Sequence, residues 1–398
     1  MNQKKQPPFG LRSPFFLVGV LLLLLIWILA WGFVISEQKD TSSFQQKISS
    51  SAVISDPPFN LSSAITTTVL THPNYPHHHA AQFVMGSPVP HLIWFAGSRE
   101  GAKDVVLLHS RFINQQWTMP QVLLTREQLE KHLHMYIKKL GNAVGAYDSN
   151  GRFHLWVTHV SLGGWASARI AHLTIKNPDF SSHSIFFNTA HNLYLSGFLN
   201  ISYLVRHPPI IENNQFVLPI YHELYDKYPA LLWQQFDGTV TRLTEITQAK
   251  SYFQGALVKD SSSNTDRPSW WLYLRPYALK NGQQVIALHS EDKGNSWSKV
   301  DEPASRTQLN NPNSGIAAVI QNNQHVVATN LGLTDRSRLV FASGSAPAQL
   351  TQINDIATGK DSRERNPEFS YPALYEQSNT LWLAYTQDRK QIVVKTFK

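Results

Sequence analysis

The stretch Ser290-Glu-Asp-Lys-Gly-Asn-Ser-Trp297, SEDKGNSW, decides the fold of this chain. It follows the apolar, strand-like run QVIALH. The Ser290 hydroxyl and the Asp292 carboxylate can satisfy backbone donors of a tight turn, and Gly294 can take a positive φ. Trp297 can then pack beneath that turn. The stretch therefore predicts a hairpin between two strands, in which Asp292 has a structural and not a catalytic role.

The serine-to-tryptophan spacing of this stretch recurs in the chain. It appears again over Ser110–Trp117 and, in eroded form, over Ser343–Leu350, each time after an apolar run. Short β-branched and aromatic runs bounded by turn residues continue from His72 to Lys398, and only Arg126–Leu140 is typical of a helix. The recurrence favours an all-β propeller over a two-sheet sandwich.

Composition limits the available chemistry. The 398 residues include no cysteine, which excludes disulfides, a thiolate nucleophile and cysteine-ligated metals. The formal net charge of +8 favours an acidic partner. No cofactor is indicated by the sequence.

The N-terminal segment predicts a membrane anchor. Residues 14–36 carry no charged side chain and are long enough to cross a bilayer, whereas a cleaved signal peptide has a shorter apolar region. Lys4, Lys5 and Arg12 precede the segment, which places residues 1–13 in the cytoplasm. We expect a single-pass protein of a bacterial inner membrane, with a flexible stalk over 37–71 and a periplasmic domain over 72–398. Nucleic acid is then not an expected partner, and an acidic glycan is favoured.

Four stretches resemble the sialidase superfamily, and more closely its bacterial group with BNR-type Asp-box repeats, of which SEDKGNSW is one. They are Trp94–Arg111, Phe253–Trp297, Asn311–Ser343 and Phe369–Arg389. The resemblance implies a six-bladed β-propeller with a glycan site at its axis. It also implies retaining hydrolysis of a terminal sialic acid, in which tyrosine replaces the usual carboxylate nucleophile.

The resemblance also implies roles for individual residues. Asp104 matches the acid and base, and Tyr371 matches the nucleophile. The arginines that would bind the sugar carboxylate are Arg99, Arg275 and Arg338, with Arg336 as the alternative to Arg338. Arg206 and the Tyr221-His222-Glu223 trio belong to a middle blade and are expected to reach the axis.

Two departures from the family pattern affect the predicted site. The segment His72–Phe83 lacks the usual first arginine, and its histidines, represented by His78, could contact the substrate instead or bind a metal. No HExxH or other spaced ligand set is present, so no metal site is predicted. Gln254 stands where a glutamate normally activates the tyrosine, and an amide cannot take up that proton. Either Glu223 replaces this glutamate or the sialidase chemistry is absent.

Three functions remain open on this basis. The first is a membrane-anchored, sialidase-like glycoside hydrolase. The second is a non-catalytic propeller that binds glycans or assists polysaccharide assembly. The third is a glycosidase or lyase for a different acidic sugar, with a histidine or Glu223 as acid or base.

Overall fold

The computed structural model describes residues 59–181, 185–197, 200–224, 226–260, 268–277, 284–359 and 367–398. They form six antiparallel sheets of four or five strands, which confirms the predicted all-β, six-bladed propeller. In most blades the strands run outward from the axis in chain order.

The first three blades follow one another directly along the chain. One strand, β1 (Thr66–Leu70), precedes the first blade. The first blade has β2 (His77–Phe83), β3 (His91–Gly97), β4 (Val106–Ile113), β5 (Gln116–Trp117) and β6 (Gln121–Thr125). The second has β7 (Lys139–Tyr147), β8 (Phe153–Val160), β9 (Arg169–Ile175) and β10 (Thr189–Asn192). The third has β11 (Tyr203–Val205), β12 (Ile210–Glu212), β13 (Gln215–His222), β14 (Tyr228–Gln235) and β15 (Val240–Glu245).

The remaining blades complete the ring. The fourth has β16 (Tyr252–Asp260), β17 (Ser269–Pro276), β18 (Gln284–Ser290) and β19 (Arg306–Asn310). The fifth has β20 (Ile316–Gln321), β21 (Gln324–Asn330), β22 (Arg338–Gly344) and β23 (Gln352–Thr358). The sixth has β24 (Phe369–Gln377), β25 (Thr380–Gln387) and β26 (Gln391–Phe397), with β1 as its outer strand.

One α-helix, α1 (Arg126–Leu133), lies among the described residues. Thr125 and Gln128 form a capping box at its N-terminus. The predicted helix extended to Leu140, but His134 adopts the left-handed conformation with φ 50° and ends it. Lys139 already belongs to β7. The helix therefore covers only the first half of the predicted segment.

The ring is closed by strands from both ends of the propeller. β1 pairs antiparallel with β26, from Thr66 opposite Thr396 to Leu70 opposite Ile392. The propeller thus begins before residue 72, and the predicted stalk over 37–71 is too long at its C-terminal end. The composition of the threonine-rich run TTTVL is typical of a stalk, although β-branched residues suit an edge strand equally well.

The Asp-box prediction is confirmed in the turn between β18 and β19. Ser290 Oγ accepts a hydrogen bond from the Gly294 N–H at 2.8 Å, and Asp292 Oδ1 accepts one from the Ser296 N–H at 2.8 Å. Gly294 has φ +80°, and Trp297 packs against the core shared with the third blade. The related stretch Ser110–Trp117 also forms a hairpin, without a carboxylate in its turn.

The predicted membrane span over 14–36 lies outside the described residues. Within the part of the chain that the structure describes, no helix has the length and apolarity needed to cross a bilayer.

Candidate functional site

The inner strands of four blades carry a β-bulge, and the bulges surround one cavity. The strand register shifts after His79 in β2, Leu140 in β7, Phe253 in β16 and Ser370 in β24. A bulge inserts an extra residue and redirects the local side chains. In the third blade the inner strand is interrupted between β11 and β12, where Arg206 lies.

The bulges hold strained residues at the cavity. Gln254 and Tyr371 have φ 50° and 54°, a region that costs a non-glycine residue about 1–3 kcal/mol. Gly315 lets Tyr371 come close, because a Cβ atom at Gly315 would lie 3.2 Å from the Tyr371 Cα. Such strain is concentrated at functional sites, so these positions mark the cavity as the candidate site.

We call this space the central cavity. It has a volume of about 180 Å³ and is bordered by residues from all six blades or the loops between their strands. They are His79, Phe95, Glu100, Gly141, Asn142, Thr158, Trp165, Leu204, Tyr221, Glu223, Lys227, Phe253, Gln254, Arg275, Tyr277, Asn313 and Tyr371.

Three guanidinium groups surround the ring of Tyr371. The Cζ atom lies 4.8 Å from the ring centroid for Arg206, 5.9 Å for Arg275 and 6.0 Å for Arg336. Arg206 and Arg275 are buried, and burial lowers the pKa of both, that of Arg206 to about 10. The Arg206 guanidinium therefore remains charged near neutral pH.

The buried arginines keep donors without acceptors in the described part of the chain. Arg206 Nη2 donates to the Pro372 carbonyl oxygen at 3.2 Å, but its Nε and Nη1 have no partner there. Arg275 Nη1 donates to the backbone carbonyl oxygen of Asn313 at 2.8 Å, and Arg275 Nε has no partner. Buried donors of this kind are normally satisfied, so their arrangement indicates an anionic ligand.

The third guanidinium is held by two neighbours. Arg336 Nη2 donates to the Asn313 oxygen at 3.1 Å, and Arg336 Nη1 pairs with Glu368 at 3.0 Å. Glu368 also pairs with Arg389 at 3.1 Å. Burial by itself would raise the pKa of Glu368. The hydrogen bond and charge of Arg389, together with the charge of Arg336, have the larger combined effect and hold that pKa below its usual value. Glu368 is therefore an ionised support of the arginine group.

A tyrosine, a glutamate and a glutamine, Tyr221, Glu223 and Gln254, also line the cavity. Gln254 Nε2 donates to Tyr221 Oη at 3.0 Å, so the Tyr221 hydroxyl proton is free to donate elsewhere. Burial raises the pKa of Tyr221, and the charges of Glu223 and Tyr371 add to the effect. Glu223 pairs with Lys227 at 3.4 Å. Glu223 is thus a carboxylate of the cavity, as the sequence suggested.

His79, and not His78, contacts the candidate nucleophile. The His79 ring centroid lies 4.5 Å from that of Tyr371, and burial, helped by Arg389, keeps the pKa of His79 well below its ordinary value. His78 instead accepts a hydrogen bond from the Trp94 indole at 3.0 Å inside the first blade. The prediction of His78 is corrected because neighbouring strand residues point to opposite faces.

Two further predictions are corrected by the structure. Arg338 begins β22 and pairs with Asp355 of the outer strand β23 at 2.7 Å, which places it away from the axis. Asp104 is exposed and accepts hydrogen bonds from the Ser98 N–H and hydroxyl, both at 2.9 Å. It closes the loop that presents Glu100 to the cavity but does not line the cavity itself.

A second concave surface adjoins the central cavity and shares Glu100 and Trp165 with it. We call it the basic groove. It is lined by His77, Arg99, Glu100, Gly101, Lys138, Lys139, Trp165 and Arg389. Predicted residue Arg99 therefore belongs to this groove and not to the cavity. Among the described residues, no three histidine, cysteine, aspartate or glutamate side chains form a metal-binding group.

Sequence reasoning missed several residues of the site. Glu368 lies only three positions before Tyr371, and this proximity was a usable signal. Trp165 and Lys139 lie outside the four stretches that carry the resemblance, and Arg389 ends one of them but was given no role. Arg336 was predicted only as the alternative to Arg338.

Comparison with known proteins supports the architecture. The profile of the family described as "BNR repeat-like domain" matches residues 91–383. No curated protein matches the chain. Similar solved structures include Trypanosoma rangeli sialidase, at TM-score 0.59 and 11% identity, covering 87% of this chain and 60% of that one.

Two other structures extend the comparison. Hadza microbial sialidase Hz136 has TM-score 0.63 and 9% identity, covering 83% of this chain and 68% of that one. A protein of unknown function from Dyadobacter fermentans has TM-score 0.57 and 11% identity, covering 84% and 98%. The chain spans about 60% of the length of the Trypanosoma rangeli enzyme, which has been solved with sialic acid. At these identities the similarity shows the fold.

Proposed function

The chain belongs to the BNR repeat-like domain family and has the sialidase-like propeller fold, and from that premise we propose a hydrolytic function. It removes a terminal sialic acid, or a related acidic sugar, from a glycan with retention of configuration. The observation that carries the proposal is the group of three arginines around Tyr371, two of them buried with unpartnered N–H donors.

The arginines account for the preference for an acidic sugar. A carboxylate on the anomeric carbon would accept hydrogen bonds from the free N–H groups of Arg206 and Arg275. Arg336 would add a third positive charge beside that carboxylate. Guanidinium forks suit this bidentate contact. The same contact would bring the anomeric carbon close to Tyr371. Binding and positioning would then depend on the same side chains.

The chemical steps use groups of the central cavity. Tyr371 Oη attacks the anomeric carbon while its proton passes to Glu223, and the glycosidic C–O bond breaks. The leaving oxygen takes a proton from Glu100, which is protonated before this step and afterwards pairs as a carboxylate with Arg389; Glu100 borders both the cavity and the basic groove. Water then gives a proton back to Glu100 and attacks the anomeric carbon. The tyrosyl C–O bond breaks and the phenolate recovers its proton from Glu223.

Asp104 has a positioning role in this scheme. Its two hydrogen bonds with Ser98 close the loop that carries Glu100. This assignment replaces the sequence-based prediction that Asp104 is itself the acid.

The test is hydrolysis of sialyllactose by the full chain, with Tyr371→Phe as the matched variant. We expect release of sialic acid by the unmodified protein, and initial formation of the α-anomer observed by proton NMR. Loss of release in Tyr371→Phe with retained binding supports the assignment. Equal release by both proteins, or initial formation of the β-anomer, would overturn it.

One observation favours a second function. By the sequence resemblance, Gln254 matches the glutamate that activates the tyrosine in sialidases, and its amide nitrogen donates a hydrogen bond to Tyr221. A non-catalytic propeller that binds acidic glycans would retain the arginines and need no base. It would bind sialyllactose, release no sugar, and bind equally well as Tyr371→Phe.

We also propose that residues 14–36 anchor the protein in a bacterial inner membrane, with residues 1–13 in the cytoplasm and the propeller in the periplasm. The uncharged length of the segment and the basic residues before it support this arrangement. A C-terminal alkaline phosphatase fusion should be active in such cells. An inactive phosphatase fusion together with an active cytoplasmic reporter fusion would reverse the orientation.

A further inference from the structure

The basic groove holds cationic side chains that lack carboxylate partners. Within the described residues, Arg99, Lys138 and Lys139 form no ion pair, and the Lys138 ammonium donates only to the Gly163 oxygen at 3.2 Å. The remaining cation, Arg389, pairs with Glu368 at 3.1 Å, and also with Glu100 at 2.9 Å when that carboxyl group is ionised. The groove therefore carries uncompensated positive charge.

Lys139 is held in place at the boundary between the groove and the cavity. Its ammonium group lies 3.8 Å from the ring centroid of Trp165. Its aliphatic stem packs against Gly101, since a Cβ atom added to that glycine would lie 3.5 Å from the Lys139 Cδ atom. Burial lowers the pKa of Lys139, and Lys138 adds to the effect. A partly desolvated ammonium fixed against an aromatic ring pairs more strongly with an anion than a fully exposed lysine does.

Trp165 connects the two spaces. Its ring borders both the cavity and the groove. The ring packs against Gly141 so closely that a Cβ atom at that position would lie only 2.8 Å from it. Aromatic rings give sugars a flat apolar surface to stack on. Glu100, the candidate acid, borders the same two spaces. The leaving group must therefore pass from Glu100 toward the groove.

From this arrangement we propose that the basic groove binds a second acidic sugar, the one that leaves. The preferred substrate is then a polyanionic glycan in which consecutive sugars carry negative charge, and not an acidic sugar on a neutral acceptor. This inference rests on the proposed function for its placement of the leaving group. The preference for a negatively charged leaving sugar rests only on the positive charges of Arg99, Lys138 and Lys139.

The test compares a disaccharide of two sialic acids with sialyllactose, which has a neutral leaving group. The full chain is expected to show a higher kcat/KM for the first substrate. Arg99→Gln and Lys139→Gln should each reduce the ratio of the two kcat/KM values by about threefold to tenfold. Lys103→Gln removes an exposed charge from the same loop outside the groove and should leave the ratio unchanged. The preference should also weaken as salt is added.

A binding measurement separates this inference from the proposed function. Calorimetry with the Tyr371→Phe protein measures affinity for both glycans without turnover. Tighter binding of the diacidic glycan, reduced in Arg99→Gln, supports the groove even if the unmodified protein hydrolyses neither. Equal affinity for the two glycans, or a preference that survives both groove substitutions, would overturn the groove assignment whatever the hydrolytic activity.

Discussion

Arg275 and Arg336 donate to the same acceptor, the backbone oxygen of Asn313, at 2.8 and 3.1 Å. The two side chains come from different blades, since Arg275 lies at the end of β17 and Arg336 precedes β22. One carbonyl group therefore sets the separation of two guanidinium groups beside Tyr371. Asn313 has φ 55°, which turns its peptide group toward both of them.

Replacing a buried arginine should abolish most of the affinity for an acidic sugar. Arg206→Met removes both free donors while keeping an unbranched side chain, and we expect sialic acid binding to fall by about 100-fold, or 3 kcal/mol. Isothermal calorimetry measures the loss. Arg338→Met is the matched control because that arginine lies at the outer strand. Equal losses in both variants would count against the arginine site.

The nucleophile and its base should act as a pair. Tyr371→Phe and Glu223→Gln should each lower kcat by about 10²–10⁴, while affinity for substrate changes little. A fluorinated sialyl fluoride should label the native protein at Tyr371, detected by peptide mass spectrometry. Tyr136→Phe, an exposed tyrosine outside the cavity, is the control. Labelling at another residue would move the nucleophile elsewhere.

Substrates with different leaving groups can decide whether Glu100 or Asp104 is the general acid. A good aryl leaving group needs no proton, so Glu100→Gln should slow sialyllactose by about 10²-fold or more and an activated aryl sialoside much less. Asp104→Asn disturbs the loop and should affect both substrates to a similar extent. A leaving-group dependence in Asp104→Asn, and none in Glu100→Gln, would return the acid role to Asp104.

Stability should fall on mild acidification because buried histidines are neutral in the folded state. Burial lowers the pKa of His78, His109, His159 and His325 to about 4, against about 6.5 in an unfolded chain. The unfolded chain therefore binds protons first. The stability contribution is complete above pH ~6.5 and is lost as the pH falls toward ~4.

Urea unfolding followed by tryptophan fluorescence tests this between pH ~7 and ~5, before most carboxylates titrate. The free energy of unfolding should decrease across the range. His109 is a suitable position for a variant, because neither ring nitrogen has a hydrogen-bond partner in the described residues. His109→Leu should flatten the pH dependence. A free energy independent of pH would show that these histidines are accessible to protons in the fold.

The Asp-box should matter for stability and not for catalysis. Asp292 accepts hydrogen bonds from the Ser290 hydroxyl and from the Ser296 N–H and hydroxyl. Asp292→Ala should lower the free energy of unfolding by about 1–3 kcal/mol and leave kcat unaltered. Asp301→Ala, at an exposed position after the turn, should do neither. A catalytic defect in correctly folded Asp292→Ala protein would contradict the structural role.

The fold could be predicted from sequence because its signals are local. The Asp-box is a turn whose donors and acceptors lie within eight residues, and strand-length apolar runs need no knowledge of distant partners. The composition of TTTVL misled because its partner β26 is far away in the sequence. Pairing at such a distance is not encoded in either segment alone.

The site was only partly predictable because it depends on backbone direction. His78 and His79 are adjacent in β2 but face opposite sides of the strand. Arg336 and Arg338 are two positions apart, and Arg336 lies before β22 while Arg338 begins it. A bulge after His79 and the start of β22 at Arg338 decide which member of each pair faces the axis. Tyr371 was correctly placed at the cavity because a motif, and not a spacing, identified it.

The pairing of Thr66 with Thr396 has a consequence for biosynthesis. These partners are 330 residues apart, so β1 leaves the ribosome long before its neighbour β26 is made. Until β26 is made, β1 exposes an unpaired threonine-rich edge, and the sixth blade lacks a complete sheet. A premature stop anywhere before β26 thus yields an open ring with two unprotected edges, a natural target for quality-control proteases.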